Sequence, residues 1–428
     1  MRKTTLHSIA MLVATVMVAG VAGNGAFAAS RSDSSAGEGK QTRLAFRVGK
    51  VVTMDGNDRV VNNAVVLVNN GKIEKIAKAR GFTIPDGYRV IDARDKWLTP
   101  GIVDCHNHTS ATSFGDLNDS VYLTNPGLRT LDTIDPENDY LKIARAGGVT
   151  TVLMIPGSGT NMSGFGTIAK TAGANVDDMV LRAPGSLKIA QAGNPEWYWF
   201  GVGRSFMNYN TRQTLQTAKQ YHEKWNAFEN GETTDEPVYD PIFHDFRGLF
   251  QRDFPASVHT QIYQVVMTTI DMLANKFQVR TVLDHSTFDG YKTAPLAVEA
   301  DVYTINGPRQ YHFDRSTRTM NGNAARWWQG GVRKLGINTD APVVPQEELP
   351  YQAAMACWYG WKPYPALKGL TRIPAEALMV DDRVGSIEAG KDADFGIWTG
   401  DPLDPRSSCE MTVINGTIVY NAENGRLF

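Results

Sequence analysis

Cysteine is scarce: Cys105, Cys357 and Cys409 are scattered through 428 residues. Three cannot build a disulfide framework, even in an oxidising compartment, so stability has to come from an apolar core. The 42% hydrophobic content is enough for a large one. Whether two of the three pair is not readable from their spacing. Net charge is also small, with 43 basic against 45 acidic side chains, and no basic run is interleaved with aromatics of the kind that tracks phosphates. Nucleic acid is therefore not an expected partner. The glycine-rich stretch "IPGSGTNMSGFG" lacks the Gly-Lys-Ser/Thr ending of a phosphate loop and reads instead as a βα loop lining a pocket.

The apolar stretch "IAMLVATVMVAGVAG" is about 15 residues long, short of the ~20 that a membrane-spanning helix needs. It follows the basic start "MRKTTLHS" and precedes "AFA", a small-x-small cleavage site ending at Ala28. That is the pattern of a secretory signal over residues 1–28, cleaved before Ala29. No Cys stands just after the apolar core, so a lipid anchor is not indicated. The expectation is a periplasmic or secreted protein with no membrane partner after cleavage. Residues 29–43, rich in Ser, Gly and charge, read as a disordered leader.

Two hairpin signals bracket the rest. "AVVLVNNGKIEKIA" alternates about Asn70-Gly71 and "MTVINGTIVYN" about Asn415-Gly416, each an Asn-Gly turn between β-prone runs. A two-stranded hairpin is marginal alone. Segments 44–97 and 373–428 therefore join in one small β-sandwich domain built from both chain ends, with residues 98–372 inserted as a single body. That body alternates short apolar runs with helical patterns, the signature of βαβ units. Strands are expected at "GIVDCHNH", "GVTTVLMIPG", "FGTIAK", "SLKIAQ", "ASVHTQ", "TVLDHST", "DVYTING" and "LGINTDAP". Eight strands suggest an α/β fold, a closed parallel (β/α)8 TIM barrel.

Polar residues fall at the C-terminal ends of these runs: His106 and His108, Lys188, His259, His285 and Asp340. In a parallel barrel those ends share one mouth, where active sites form. His106 and His108, at i and i+2 of a strand, share a face and stand roughly 6 to 7 Å apart, close enough to hold one ion between them. A lone strand-end His such as His285 is more often structural, and H-x-H alone recurs by chance. Four imidazoles with a carboxylate in one mouth, however, suit Zn²⁺ or another divalent metal. Without an ion the same cluster would bury several polar groups lacking partners. Cys105 alternates away from the His pair and reads as a buried, inert thiol.

With "LTPGIVDCHNHTS", "ASVHTQ", "TVLDHST", "GINTDAP" and "VGSIEAGKDADFGIW", the chain resembles the metal-dependent amidohydrolase superfamily over about residues 45–422. "GGVTTVLMIPGSGTNMSGFG" and "LKIAQAGNPE" place the likeness in its imidazolonepropionase-like and prolidase-like group. The resemblance implies one or two divalent ions, with His106, His108 and Asp340 on the more buried one and His259 and His285 on the second. It implies a carboxylated Lys188 bridging them; an unmodified ammonium beside two cations would be opposed by like charge. The ions acidify a water so that hydroxide exists near neutral pH. Asp340 then acts as general base and later as acid toward the departing amine.

The implied reaction is hydrolysis of a C–N bond in a small amide or peptide. The first expectation is a dipeptide or N-acyl amino acid, and the alternative a cyclic amide of the imidazolone type. Deaminases on this scaffold often carry a Glu three residues after the fifth-strand His, whereas "HTQI" has Ile262 there, which counts against a purine or pyrimidine deaminase. Specificity is less legible. Tyr198, Arg204, Arg309 and His312 lie in segments expected at the mouth and are candidates for substrate binding, since Arg matches a carboxylate with two parallel hydrogen bonds. The competing reading packs Trp197, Trp199 and Phe200 over the rim and leaves the Arg residues solvated. A non-catalytic binding protein is the rival class, although all six ligand positions are filled. A homo-oligomer is left open.

Overall fold

The computed structural model describes residues 43–109 and 119–427. The signal and most of the leader lie outside the described residues. Arg43, read as the end of the leader, is already in the first strand.

Four strands begin the chain: β1 (Arg43–Val52), β2 (Val60–Asn69), β3 (Lys72–Lys78) and β4 (Arg89–Pro100). After the central body come β15 (Phe395–Trp398), β16 (Cys409–Ile414) and β17 (Thr417–Asn421), and all seven form one sheet in the order β17-β16-β15-β4-β1-β2-β3. Both Asn-Gly hairpins are present. Asn70 and Gly71 have φ of 50° and 76°, and Asn415 and Gly416 have 48° and 71°, the left-handed pair that a two-residue hairpin turn requires. The sheet curls until these tips meet: a Cβ on Gly71 would stand 3.0 Å from the Asn415 carbonyl oxygen. The sandwich is thus one sheet folded over a shared interior of Phe46, Val66, Leu98, Phe395 and Val413.

Between these lies a nearly closed eight-stranded sheet. Its members are β5 (Ile102–Asn107), β6 (Val149–Met154), β7 (Met162–Lys170), β8 (Val180–Ala190), β9 (Ala256–Gln261), β10 (Thr281–Thr287), β11 (Tyr303–Asn306) and β14 (Leu335–Ile337), in sequential order across the sheet. A small separate hairpin, β12 (Tyr311–Asp314) and β13 (Thr319–Gly322), sits between β11 and β14. The circle is completed by a parallel bridge between Asn107 and Ala341, with the His108 amide donating to the Ala341 carbonyl at 3.0 Å. Outer helices include Asp139–Ala146, Arg204–Glu229, Tyr263–Thr269 and Leu349–Trp358. Among the described residues no helix is long and apolar enough to cross a membrane.

All eight expected strands are present, but the barrel is not all parallel: β7 runs antiparallel to both β6 and β8. The reason is length. Segments 155–161 and 171–179 flank β7 and hold no more than a four-residue helix, Val176–Met179, less than the dozen or so residues that a parallel crossover needs. No expected site residue lies on β7, so the mouth keeps its composition. The expected division near residues 98 and 372 also shifts. β4 continues to Pro100, and the helix Arg372–Ala377 packs with Val103 and Cys105 of β5 through Ala375 and Ala377.

Candidate metal centre

β5 brings His106 and His108 to the mouth, β8 brings Lys188, β9 His259, β10 His285, and Asp340 follows β14. All four histidines and Lys188 are buried. The imidazoles form a chain of ring contacts: His106 to His108 at 4.7 Å between centroids, His106 to His285 at 4.6 Å and His285 to His259 at 4.3 Å. Asp340 Oδ1 lies 3.1 Å from His108 Nε2, 3.5 Å from His106 Nε2 and 4.0 Å from His285 Nε2. Ligand atoms of His106, His285 and Asp340 lie within 4.8 Å of one another, and Lys188 Nζ is 2.8 Å from His106 Nε2. All six residues singled out in the sequence therefore converge.

Ring orientation is set from behind. The Nδ1 of His106 meets Asp284 Oδ2 at 2.9 Å, that of His108 the Ile155 carbonyl at 2.8 Å, and that of His259 the Ser158 hydroxyl at 2.7 Å. These partners leave Nε2 of each ring turned to the centre, the arrangement by which outer groups aim metal-binding imidazoles. The Nε2 of His259 and both ring nitrogens of His285 are buried with no hydrogen-bond partner, a cost that an ion on the one lone pair of each ring would reduce. A Cβ on Gly193 would come 3.3 Å from His259 Nε2, so glycine keeps that approach open.

Charge states suit the same purpose. Burial drives the imidazoles of His106 and His259 well below the usual range and that of His285 down to about 4, so their lone pairs are free for a cation. Burial pushes Asp340 upward, but its interactions with His285 and His108 outweigh that and hold the carboxyl below its ordinary value. Neutral nitrogens around one carboxylate are a donor set for Zn²⁺ or a similar borderline ion, and the residues fit such a group.

Backbone strain gathers here. His285, Ser286, Asp340 and Ile262 have φ of 62°, 48°, 52° and 59°, unfavourable for residues with side chains and typical of positions that surrounding structure must hold. Three supporting groups escape the sequence reading. Asp284 precedes an inward-facing His and by strand alternation should face outward; the left-handed turn at His285–Ser286 lets both point in. Burial raises its carboxyl to about 8 against the pull of Lys188. Asp104 accepts from Thr339 Oγ1 and from Gln346 Nε2 at 3.0 Å, fixing the residue before Asp340. It does share the His106 face by the i, i+2 rule, a signal that was present. Ser158 lies in the glycine-rich loop read as lining.

The substrate-binding candidates are more dispersed. Tyr198 ends the short helix Asn194–Tyr198 and is exposed, and Arg204 pairs with Glu196 at 3.2 Å. Arg309 is exposed just past β11, and His312 on β12 is held by Asn323 Oδ1 at 2.7 Å and by the Phe288 ring. Trp197 and Phe200 do not pack over the rim but stand in solvent, whereas Trp199 donates to the Gly159 carbonyl. Cys105 is buried and unpaired with its thiol pushed far up by burial, and Cys357 and Cys409 are also free thiols.

Known proteins bear on this geometry. A model of the amidohydrolase family matches residues 322–426, a stretch that includes Asp340. An imidazolonepropionase of Aromatoleum aromaticum is 27% identical over 392 residues, covering 84% of this chain and 91% of that protein. The amidohydrolase tasK of Hapsidospora irregularis is 23% identical over 83% of this chain, which spans 40% of tasK's length. An amidohydrolase crystal structure from Thermotoga maritima superimposes with a TM-score of 0.79 at 28% identity, covering 88% of this chain and 100% of that one. The family model reaches only the C-terminal quarter, but likeness in sequence and fold over most of the length points the same way: the chain is similar to proteins of the amidohydrolase superfamily.

Proposed function

We propose that the chain is an exported, metal-dependent hydrolase of a carbon–nitrogen bond, with a dipeptide or N-acyl amino acid as substrate. The observation that carries the reading is the set of buried, partnerless imidazole nitrogens of His259 and His285 beside Asp340. His106, His108 and Asp340 would hold one divalent ion and His259 and His285 a second, with Lys188 joining them once CO₂ has converted its amine to a carbamate. A divalent ion in such a place supplies positive charge that polarises an amide carbonyl and acidifies water.

The remaining work falls to the chain. Asp340, kept ionised by its histidine neighbours, accepts a proton from the attacking water and delivers it to the departing nitrogen, whose protonation lets the C–N bond break. The buried walls exclude bulk water from that transfer. Arg309, an exposed cation just past β11, offers a partner for the carboxylate that a dipeptide or N-acyl amino acid carries beside its amide. The likeness to imidazolonepropionases favours a second reading, opening of a cyclic amide.

Metal analysis of the purified mature protein should give at least about one tightly bound divalent ion per chain, and chelation should abolish turnover that Zn²⁺ restores. Less than one ion would sink the enzyme reading. A panel of Xaa-Pro and other dipeptides, N-acyl amino acids and imidazolones should release free amino acid from the first groups. Turnover of imidazolones alone would decide for the second reading, and release of ammonia would overturn both.

A further inference from the structure

Three of the four central histidines have an Nδ1 partner, and the partners differ in kind: a backbone carbonyl for His108, a hydroxyl for His259 and a carboxylate for His106. Any of these acceptors fixes the tautomer and orientation of the ring it faces, and a carboxylate alone also brings a charge. The carboxylate comes at a cost. Asp284 is fully buried, its other oxygen has no partner, and it reaches the interior only because the next two residues adopt left-handed backbone. From the other side, Lys188 Nζ faces His106 Nε2. A proton on His106 Nδ1, donated to Asp284 Oδ2 at 2.9 Å, leaves the lone pair of Nε2 facing the centre.

We propose that Asp284 is a positioning residue that fixes the Nδ1–H tautomer of His106 and thereby presents Nε2 to the metal. The proposal rests on the metal-centre reading given above. It assigns the strain at His285–Ser286 a purpose, since one strand end delivers a ligand and the carboxylate that aims a different ligand across the barrel. The rival account is that Asp284 only balances the charge of Lys188, and the two differ in what an amide at position 284 would do. An Asn side chain keeps an acceptor oxygen for the His106 N–H and discards the charge.

The test compares Asp284→Asn with Asp284→Leu, which keeps the volume and removes the acceptor, using melting temperature to confirm folding. Zn²⁺ affinity is measured by chelator competition, and the His106 tautomer by ¹⁵N chemical shift in metal-free protein. The expected result is that Asn binds Zn²⁺ within about threefold of the parent and keeps Nδ1–H, while Leu binds about 10–100-fold more weakly and shows a mixed tautomer. Equal loss in both variants would assign Asp284 to charge balance and overturn the proposal, as would parent-like binding in Leu. Should Leu fail to fold, Asn alone decides: loss of the Nδ1–H signature there is equally fatal. If even the parent bound no Zn²⁺, the metal reading would fail, and the metal-free tautomer would still decide the role of Asp284.

Discussion

At the scale of single residues, the chemistry concentrates in Asp340. It is the carboxylate that three histidines approach, and substitution by Asn removes the proton acceptor while keeping the shape. Asp340→Asn should hold its melting temperature within a few degrees yet lose turnover by about 10²–10⁴-fold, measured as kcat on the best substrate of the panel. A near-normal rate would take Asp340 out of proton transfer. The convergence was legible in the sequence because strand ends in a barrel share one mouth, so His106, His108, His259, His285 and Asp340 could be joined across more than two hundred residues. Asp284 was not legible, because period-two alternation forbids two neighbouring residues from facing the same way, and a left-handed residue cannot be read from "DHST". Tyr198 and Arg204 show the opposite failing. A loop after a strand was enough to propose them, but a loop's side chains are placed by contacts, and these two face solvent or a neighbouring Glu.

At the scale of elements, β7 carries a different lesson. Its apolar run gave the strand correctly, but direction is set by the length of the connections on either side, which a count of strands ignores. Because it is reversed, its last residue lies at the barrel end away from the mouth, and there Lys170 is buried against Asp392 at 2.6 Å and Asp394 at 2.9 Å, with Asn415 also in reach. Lys170→Met leaves these carboxylates without their buried cation and should cost about 3 kcal/mol, toward the low end for breaking a buried pair, since Lys72 and Arg383 still hold Asp392. A fall of less than about 1 kcal/mol in urea unfolding would contradict this. Acid acts on the same cluster with two signs. Burial raises Asp392, yet hydrogen bonds from Lys170 and Lys72 prevail and hold it below the usual carboxylate range, so its stabilising contribution is present at neutral pH and fades as pH falls below about 4. Burial wins for Asp394, which is held up and contributes in the opposite sense. The unfolding midpoint should therefore decline below about pH 4, and Asp392→Asn should make that decline shallower.

At the scale of the whole molecule, the joining of both chain ends was readable from two Asn-Gly hairpins that needed more strands. The curl of their sheet was not, since it depends on which faces meet. The export proposal rests on the N-terminal stretch alone: intact mass of the secreted protein should place the first residue at Ala29, and retention of residues 1–28 would remove it. The pairing of β4 with β15, Trp97 opposite Trp398 and Leu98 opposite Ile397, also sets a timetable. While the chain is being made, the early strands are complete long before residues 395–421 exist, and the β4 edge waits open, the kind of edge that recruits foreign strands. A nascent chain that cannot close its first sheet until residues 395–421 arrive is held back from completing its fold, and the open edge of β4 is exposed to stray pairing throughout that interval.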